Sequence, residues 1–172
     1  KGTTDDQGGI VTDMVNPTLG TDVFGGRGNF TDNTDDYWTL GNAGGGDNLE
    51  ITGGACEFKA SGSTNGQLKK AGVLTVGTLY RIDVDVTVNS GGSLVIDDTN
   101  PYIRVCEEGE TGHHTMYWRP ENQTEFKLYR YDGTGDAYDT NITIDNLTVR
   151  PVNGNAGAMQ NMRPDDFVGD TP

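Results

Sequence analysis

The clearest signal along the chain is strict alternation. In LYRIDVDVTV, residues 79–88, Ile82, Val84, Val86 and Val88 fall on one side and Arg81, Asp83, Asp85 and Thr87 on the other. A period of two, with one apolar and one polar side, predicts a strand buried on a single face. Shorter runs of the same kind are LEI at 49–51, ACEFKA at 55–60, SLVI at 93–96, YIRVC at 102–106, TMYW at 115–118 and EFKLYRY at 125–131. Turn-forming groups such as Thr52-Gly53-Gly54 and Ser90-Gly91-Gly92 separate them. No run has helical periodicity. About eight to ten strands at this spacing predict an all-β sandwich.

One strand breaks the rule. In ITIDNLTV, residues 142–149, apolar side chains alternate at Ile142 and Ile144, and again at Leu147 and Val149, but the two registers disagree. A single extra residue at Asp145-Asn146, a β-bulge, reconciles them. Bulges re-aim side chains at edges and functional sites. The bulge therefore either presents Asp145 for a purpose, or only bends the strand and leaves the carboxylate in water.

Alternation also sorts the aromatic residues. In TMYW it places Met116 and Trp118 on one face and Tyr117 on the other. In EFKLYRY, Phe126 and Leu128 are predicted inward, with Glu125, Lys127, Tyr129 and Tyr131 outward. Sugars stack their C–H faces on aromatic rings and offer hydroxyls to polar groups. Tyr117, Trp118, Lys127, Tyr129 and Tyr131 are therefore the candidate glycan-binding or interface residues, with Tyr117 joining the platform if its strand is adjacent. Three readings of that face stay open: a sugar platform, a protein–protein interface, where Tyr and Trp are also enriched, and ordinary cross-strand pairing. His113-His114 follows Gly112 and is expected in a loop. Neighbours on a strand would point to opposite faces and could not easily share a metal. No Ser-His-Asp arrangement can be assembled from them. None of the many acidic residues stands out as a glycosidase pair. No catalytic residue is assigned, and the chain is not expected to be an enzyme.

Composition and charge narrow the classes. Glycine, at 26 of 172 residues, is about twice as frequent as usual, which suits a turn-rich β protein. The net charge is −14, from 26 acidic and 12 basic residues. Such a chain is a poor partner for nucleic acid or an anionic membrane surface. No apolar stretch reaches membrane-spanning length, so no membrane insertion is expected. The acidity serves solubility and repulsion between subunits, which bound Ca²⁺ would ease. Cys56 and Cys106 have no zinc-like spacing. Buried free thiols are the expectation, with pairing left open.

The chain divides into an N-terminal arm over 1–27, a strand-rich domain over 28–152 and an extended C-terminal tail over 153–172. The tail spaces Met159, Met162 and Phe167 along a polar segment. Apolar residues on an arm need a place to bury, and a neighbouring subunit offers one, so these three are assembly candidates.

Three segments in order carry a family resemblance: GNFTDNTDDYWTLGNAGG at 28–45, GVLTVGTLYRIDVDVTVNSGGSLVI at 72–96 and ITIDNLTVRPV at 142–152. Together they resemble the jelly-roll carbohydrate-binding modules of the xylan- and glucan-binding type, which share the galactose-binding-like sandwich. The resemblance implies a jelly roll over residues 28–152 with Trp38 buried. It also implies a structural Ca²⁺ joining the first and last strands, with Asp145 as the closing-strand ligand. The family's opening acidic position holds Thr31 here, so Asp32, with Asn29 nearby, would have to substitute.

The layout is similar, too, to domains of bacteriophage structural proteins, and the ending AMQNMRPDDFVGDTP resembles theirs. On that basis the first expectation is a virion protein, a capsid decoration or tail or neck appendage. It would be homo-oligomeric, in the simplest case a trimer, packed against other virion proteins and able to adsorb to host-surface glycans. The second is a non-catalytic glycan-binding module of a secreted enzyme.

Overall fold

The computed structural model describes residues 17–32, 36–41, 47–60, 66–96, 103–107, 109–131 and 140–153. They contain ten strands: β1 (Thr39–Gly41), β2 (Asp47–Thr52), β3 (Ala55–Ala60), β4 (Gln67–Lys70), β5 (Tyr80–Ser90), β6 (Ser93–Ile96), β7 (Ile103–Cys106), β8 (Gly112–Trp118), β9 (Phe126–Tyr131) and β10 (Thr140–Pro151). They form two five-stranded sheets, in the orders β1-β4-β9-β6-β7 and β2-β3-β10-β5-β8. Every pairing is antiparallel. The expected all-β jelly-roll sandwich is the observed fold.

The core lies where the alternation put it. Ile82, Val84 and Val86 of β5 are at most 2% exposed, while Arg81, Asp83 and Asp85 reach the surface of the second sheet. An aromatic cluster fills one end. Phe24 meets Trp38 at 4.7 Å and Phe126 at 5.1 Å, both edge-on, a geometry that suits the ring quadrupoles. Arg130 shares the inward side of β9 with Phe126 and Leu128 and is buried, its Nε donating to Thr140 Oγ1 at 2.8 Å. A buried guanidinium must be hydrogen-bonded, and this contact meets part of that demand.

The conflict in ITIDNLTV resolves as a bulge in β10. Asp145 pairs with Asp85 of β5 and Thr148 with Asp83, so two residues of β10 stand opposite Val84 alone. Asn146 takes the turn in the left-handed region, with φ of 51°. Ile142 and Ile144 before the bulge, and Leu147 and Val149 after it, are all buried. One inserted residue lets both registers face the core.

The structure moves the N-terminal boundary. Residues 17–27, expected to belong to an arm, are part of the sandwich. Leu19 bridges Val152, Gly20 N–H donates to Pro151 O, and Val23 N–H donates to Val149 O. Phe24 is a core residue. A short 3₁₀ turn, Arg27–Asn29, then crosses over the bulge. His113 and His114 lie in β8, not in a loop, because Gly112–Trp118 pairs along β5. Cys56 and Cys106 are free, buried thiols. Residues 1–16 and 154–172, including Met159, Met162 and Phe167, lie outside the described residues.

Candidate functional site

The sandwich has two outward sheet faces, and the predicted platform residues do not share one. Lys127, Tyr129 and Tyr131 belong to β9 in the first sheet, whereas Tyr117 belongs to β8 in the second. Tyr117 therefore cannot extend the β9 row. Trp118 faces the core, 5% exposed and edge-on to Phe126 at 6.5 Å, so it is a packing residue and not part of a binding surface. Tyr129 has the outward direction expected of it, but only 6% of it is exposed. An open stacking platform at its ring is ruled out in this arrangement. The side chain of Tyr131 lies outside the described residues.

Cross-strand register builds the outward face of the first sheet. Gln67 pairs with Tyr129, Lys69 with Lys127, and Val95 with Tyr129 from the other side. Lys69 runs across Gly41 of β1, where an added Cβ would lie 3.0 Å from its Cε. Arg104 of β7 reaches Ser93 Oγ at 3.4 Å and Glu107 Oε1 at 3.4 Å. Gln67, Lys69 and Lys127 are half-buried and Arg104 is exposed, while Val95 and Tyr129 form a covered floor. Sequence reasoning missed Gln67, Lys69 and Arg104. The only signal for β4 was QLKK between Gly66 and Gly72, with a single apolar residue to set a period.

The outward face of the second sheet is a closed network. Arg81 donates from Nε and Nη2 to Asp83 Oδ1, at 3.0 and 2.8 Å, and the Thr115 hydroxyl donates to the same oxygen at 2.7 Å. His113 Nδ1 lies 2.7 Å from Asp85 Oδ1, and Asn146 Nδ2 donates to Asp85 Oδ2 at 2.9 Å. Burial pushes Asp83 upward, but the Thr115 and Arg81 hydrogen bonds and the Arg81 and His113 charges outweigh it and hold the carboxyl below its ordinary value. Asp85 is held low chiefly by the hydrogen bond from Asn146 and then by that with His113. Lys59 is ion-paired to Glu57 in the same sheet. Each of these charges is answered by a neighbour, which stabilises the sheet and leaves little to hold a ligand.

The three residues expected at calcium are engaged separately. Asn29 Oδ1 accepts from Thr31 N–H and Oγ1 at 3.3 and 3.1 Å, Asp32 is ion-paired with Arg27, and Asp145 Oδ1 accepts from Asn146 N–H at 2.6 Å. Asn29 and Asp32 do share a small, shallow cleft, open to solvent, with Arg27, Phe30, Tyr37 and Trp38. Lys70 Nζ sits 3.8 Å over the Tyr37 ring beside it. Two cations next to that ring make the cleft a poor place for another. Among the described residues, no group of three His, Cys, Asp or Glu is placed to hold a metal ion.

The fold is the jelly-roll sandwich of carbohydrate-binding modules. The CBM22-1 xylan-binding domain of Paenibacillus barcinonensis Xyn10C is similar at a TM-score of 0.52 and 15% identity, over 79% of this chain and 96% of that domain. The CBM22-1-CBM22-2 tandem domain of the same protein is similar at 0.52 and 15%, over 79% of this chain and 45% of the tandem. At that identity the likeness is one of fold. No protein-family model and no curated protein matches the chain. Among the described residues, no helix is long and apolar enough to cross a membrane.

Proposed function

We propose that the protein is a non-catalytic glycan-binding module acting outside the cell, the second of the two expectations drawn from its sequence. The observation that carries this reading is the outward face of the first sheet, where Gln67, Lys69 and Lys127 surround the covered ring of Tyr129. Polar groups around an apolar floor suit hydroxyl-rich ligands. Among solved proteins of the same fold is a xylan-binding domain, which supports the same reading. Tyr129, expected to stack on sugar, acts instead as the floor that positions the polar groups above it.

The virion reading drew on a likeness of layout to phage structural domains and on the C-terminal segment, which lies beyond the described residues, whereas the similar structures are carbohydrate-binding modules. This reading does not call on calcium, for which Asp145 would be the closing-strand ligand. The function is tested by affinity electrophoresis of the full chain through gels containing plant and bacterial polysaccharides. At least one polysaccharide should retard it. Tyr117→Ala, on the opposite face, should leave that retardation intact. Unretarded migration through every gel would reject the reading.

A further inference from the structure

Four strands end the two sheets, β1 and β7 in the first and β2 and β8 in the second. An edge strand turns every second N–H and C=O away from its sheet and so invites another strand. Natural edges are guarded by shortness, charge, proline or a bulge. Three of these four are guarded. Strand β1 has only three residues. Strand β7 has four, carries the exposed Arg104 and shifts register against β6. Strand β2 carries Asp47 and Glu50. Strand β8 has none of these devices. Its seven residues, Gly-His-His-Thr-Met-Tyr-Trp, include no Asp, Glu, Lys, Arg or Pro. They pair with β5 over their whole length without a shift, and among the described residues no strand lies on the other side.

We infer that β8 is the interface of a two-fold dimer, in which it pairs antiparallel with β8 of a second copy of this chain. Two five-stranded sheets then join into one continuous sheet. A register centred on Thr115 uses the whole strand. Thr115 meets Thr115, His114 meets Met116, and His113 meets Tyr117 of the other copy. Thr–Thr and aromatic pairs are favourable cross-strand neighbours, and none of these pairs opposes like charges. Alternate residues of each copy supply about six to eight hydrogen bonds in all. The pairing is isologous and uses the same edge of both copies, so assembly closes at two.

Charge just outside the strand favours a second copy over an unrelated strand, and antiparallel over parallel. Glu110 is exposed two residues before β8, and Arg119 is exposed one residue after it. Antiparallel pairing brings Arg119 of each copy beside Glu110 of the other, twice by symmetry. Arg119 donates to Gly77 O at 3.1 Å, and Glu110 Oε2 accepts from Glu107 N–H at 2.8 Å. Neither is in an ion pair among the described residues. Glu107 is already answered by Arg104. Glu121 lies in the bend beyond buried Pro120, so Arg119 is the charge next to the strand end. The net charge of −14 repels two approaching copies, but at physiological ionic strength that repulsion is screened over about 8 Å. The dimer uses no residue on the outward face of the first sheet and stands whether or not the protein binds glycan.

The test is sedimentation equilibrium of the full chain from micromolar to millimolar concentration. The wild type should pass from one chain mass to two. Thr115→Lys sets two ammonium groups against each other at the centre of the interface and should weaken the dimer about tenfold or more. Arg119→Glu should weaken it comparably, and adding Glu110→Lys to that variant should restore it. Melting temperatures show which variants are folded. Arg119 and Glu110 are exposed, so their charge exchange decides the matter even where Thr115→Lys fails to fold. Amide hydrogen exchange in residues 112–118 should be slower at high concentration than at low. A chain that stays monomeric throughout would overturn the inference. So would an oligomer that neither Thr115→Lys nor Arg119→Glu weakens, or that the charge exchange fails to restore, since its interface must then lie elsewhere.

Discussion

Gly28 lies against Leu147 so closely that a Cβ on it would come within 1.8 Å of the Leu147 carbonyl oxygen. The constraint is one of space, because the φ angle of Gly28 is not in the left-handed region. Gly28 belongs to the 3₁₀ turn, and Leu147 is the first buried residue after the bulge in β10. The contact locks the opening segment to the closing strand. Gly28→Ala cannot be absorbed by a rotamer change, since the opposing atom is backbone. We expect it to cost about 3 kcal/mol or more, the upper range for overpacking. Thermal unfolding would show this as a large drop in midpoint, and an unchanged midpoint would mean that the turn does not clamp the strand.

Asn146 holds the bulge in two ways. It adopts a φ of 51°, which Asn tolerates and β-branched residues resist, and its amide donates to Asp85. Asn146→Val should destabilise by about 2 kcal/mol through backbone strain and the lost bond. Asn146→Gly keeps the backbone and should cost less than half as much. Urea denaturation midpoints of the two variants separate these effects. Equal losses would show that the hydrogen bond, and not the conformation, carries the residue's role.

Much of this was legible because it is local. Strand β5 and both registers of β10 could be read from alternation, and the bulge from the conflict between Ile144 and Leu147. Strands β1 and β4 could not, since TLG and QLKK are too short to show a period. Sheet membership is set by contacts distant in sequence. Alternation said that Tyr117 and Tyr129 point outward but not that β8 and β9 lie in opposite sheets. Phe24 had only Val23 beside it in a polar stretch, and only the packing of Trp38 and Phe126 around it makes it core. The cross-strand Lys69–Lys127 pair was invisible for the same reason: neither residue is unusual until the register is known.

The two thiols should be inert in the folded protein. Burial pushes Cys106 up to about 11, and it raises Cys56 further still. The thiolate is the reactive form. With a thiol-reactive disulfide reagent at pH 8, native protein should show negligible modification and guanidinium-unfolded protein should titrate both cysteines. Fast reaction of either thiol in the native state would place it nearer the surface than this packing allows.

Calcium can be tested by stability. Ca²⁺ takes six to eight oxygens, and the candidate donors Asn29, Asp32 and Asp145 already hold Thr31, Arg27 and Asn146. We expect the same melting temperature in EDTA and in excess CaCl₂. An ion bound only to the folded state, at a hundred times its Kd, would add about 2.7 kcal/mol. A rise of that order in CaCl₂, removed by Asp145→Asn, would assign the metal to the bulge carboxylate and require its contacts to rearrange.

The second-sheet network makes a prediction about acid. Asp83 and Asp85 are both held below the ordinary carboxylate value of 3.8 in the folded protein. A group whose folded value is depressed stabilises the fold above its unfolded value and loses that contribution as pH falls through the folded one. The contribution of this pair is therefore complete at neutral pH and is lost below about pH 4. Asp83, 13% exposed, accepts from both Arg81 and Thr115, so Asp83→Asn should cost about 1.5 kcal/mol at pH 7. The gap between wild type and variant should shrink as pH is lowered toward 3, because the wild-type carboxyl becomes neutral as well. Urea midpoints for both proteins from pH 7 to pH 3 would measure this. A gap that stayed constant with pH would mean that Asp83 contributes through shape and neutral hydrogen bonding and not through its charge.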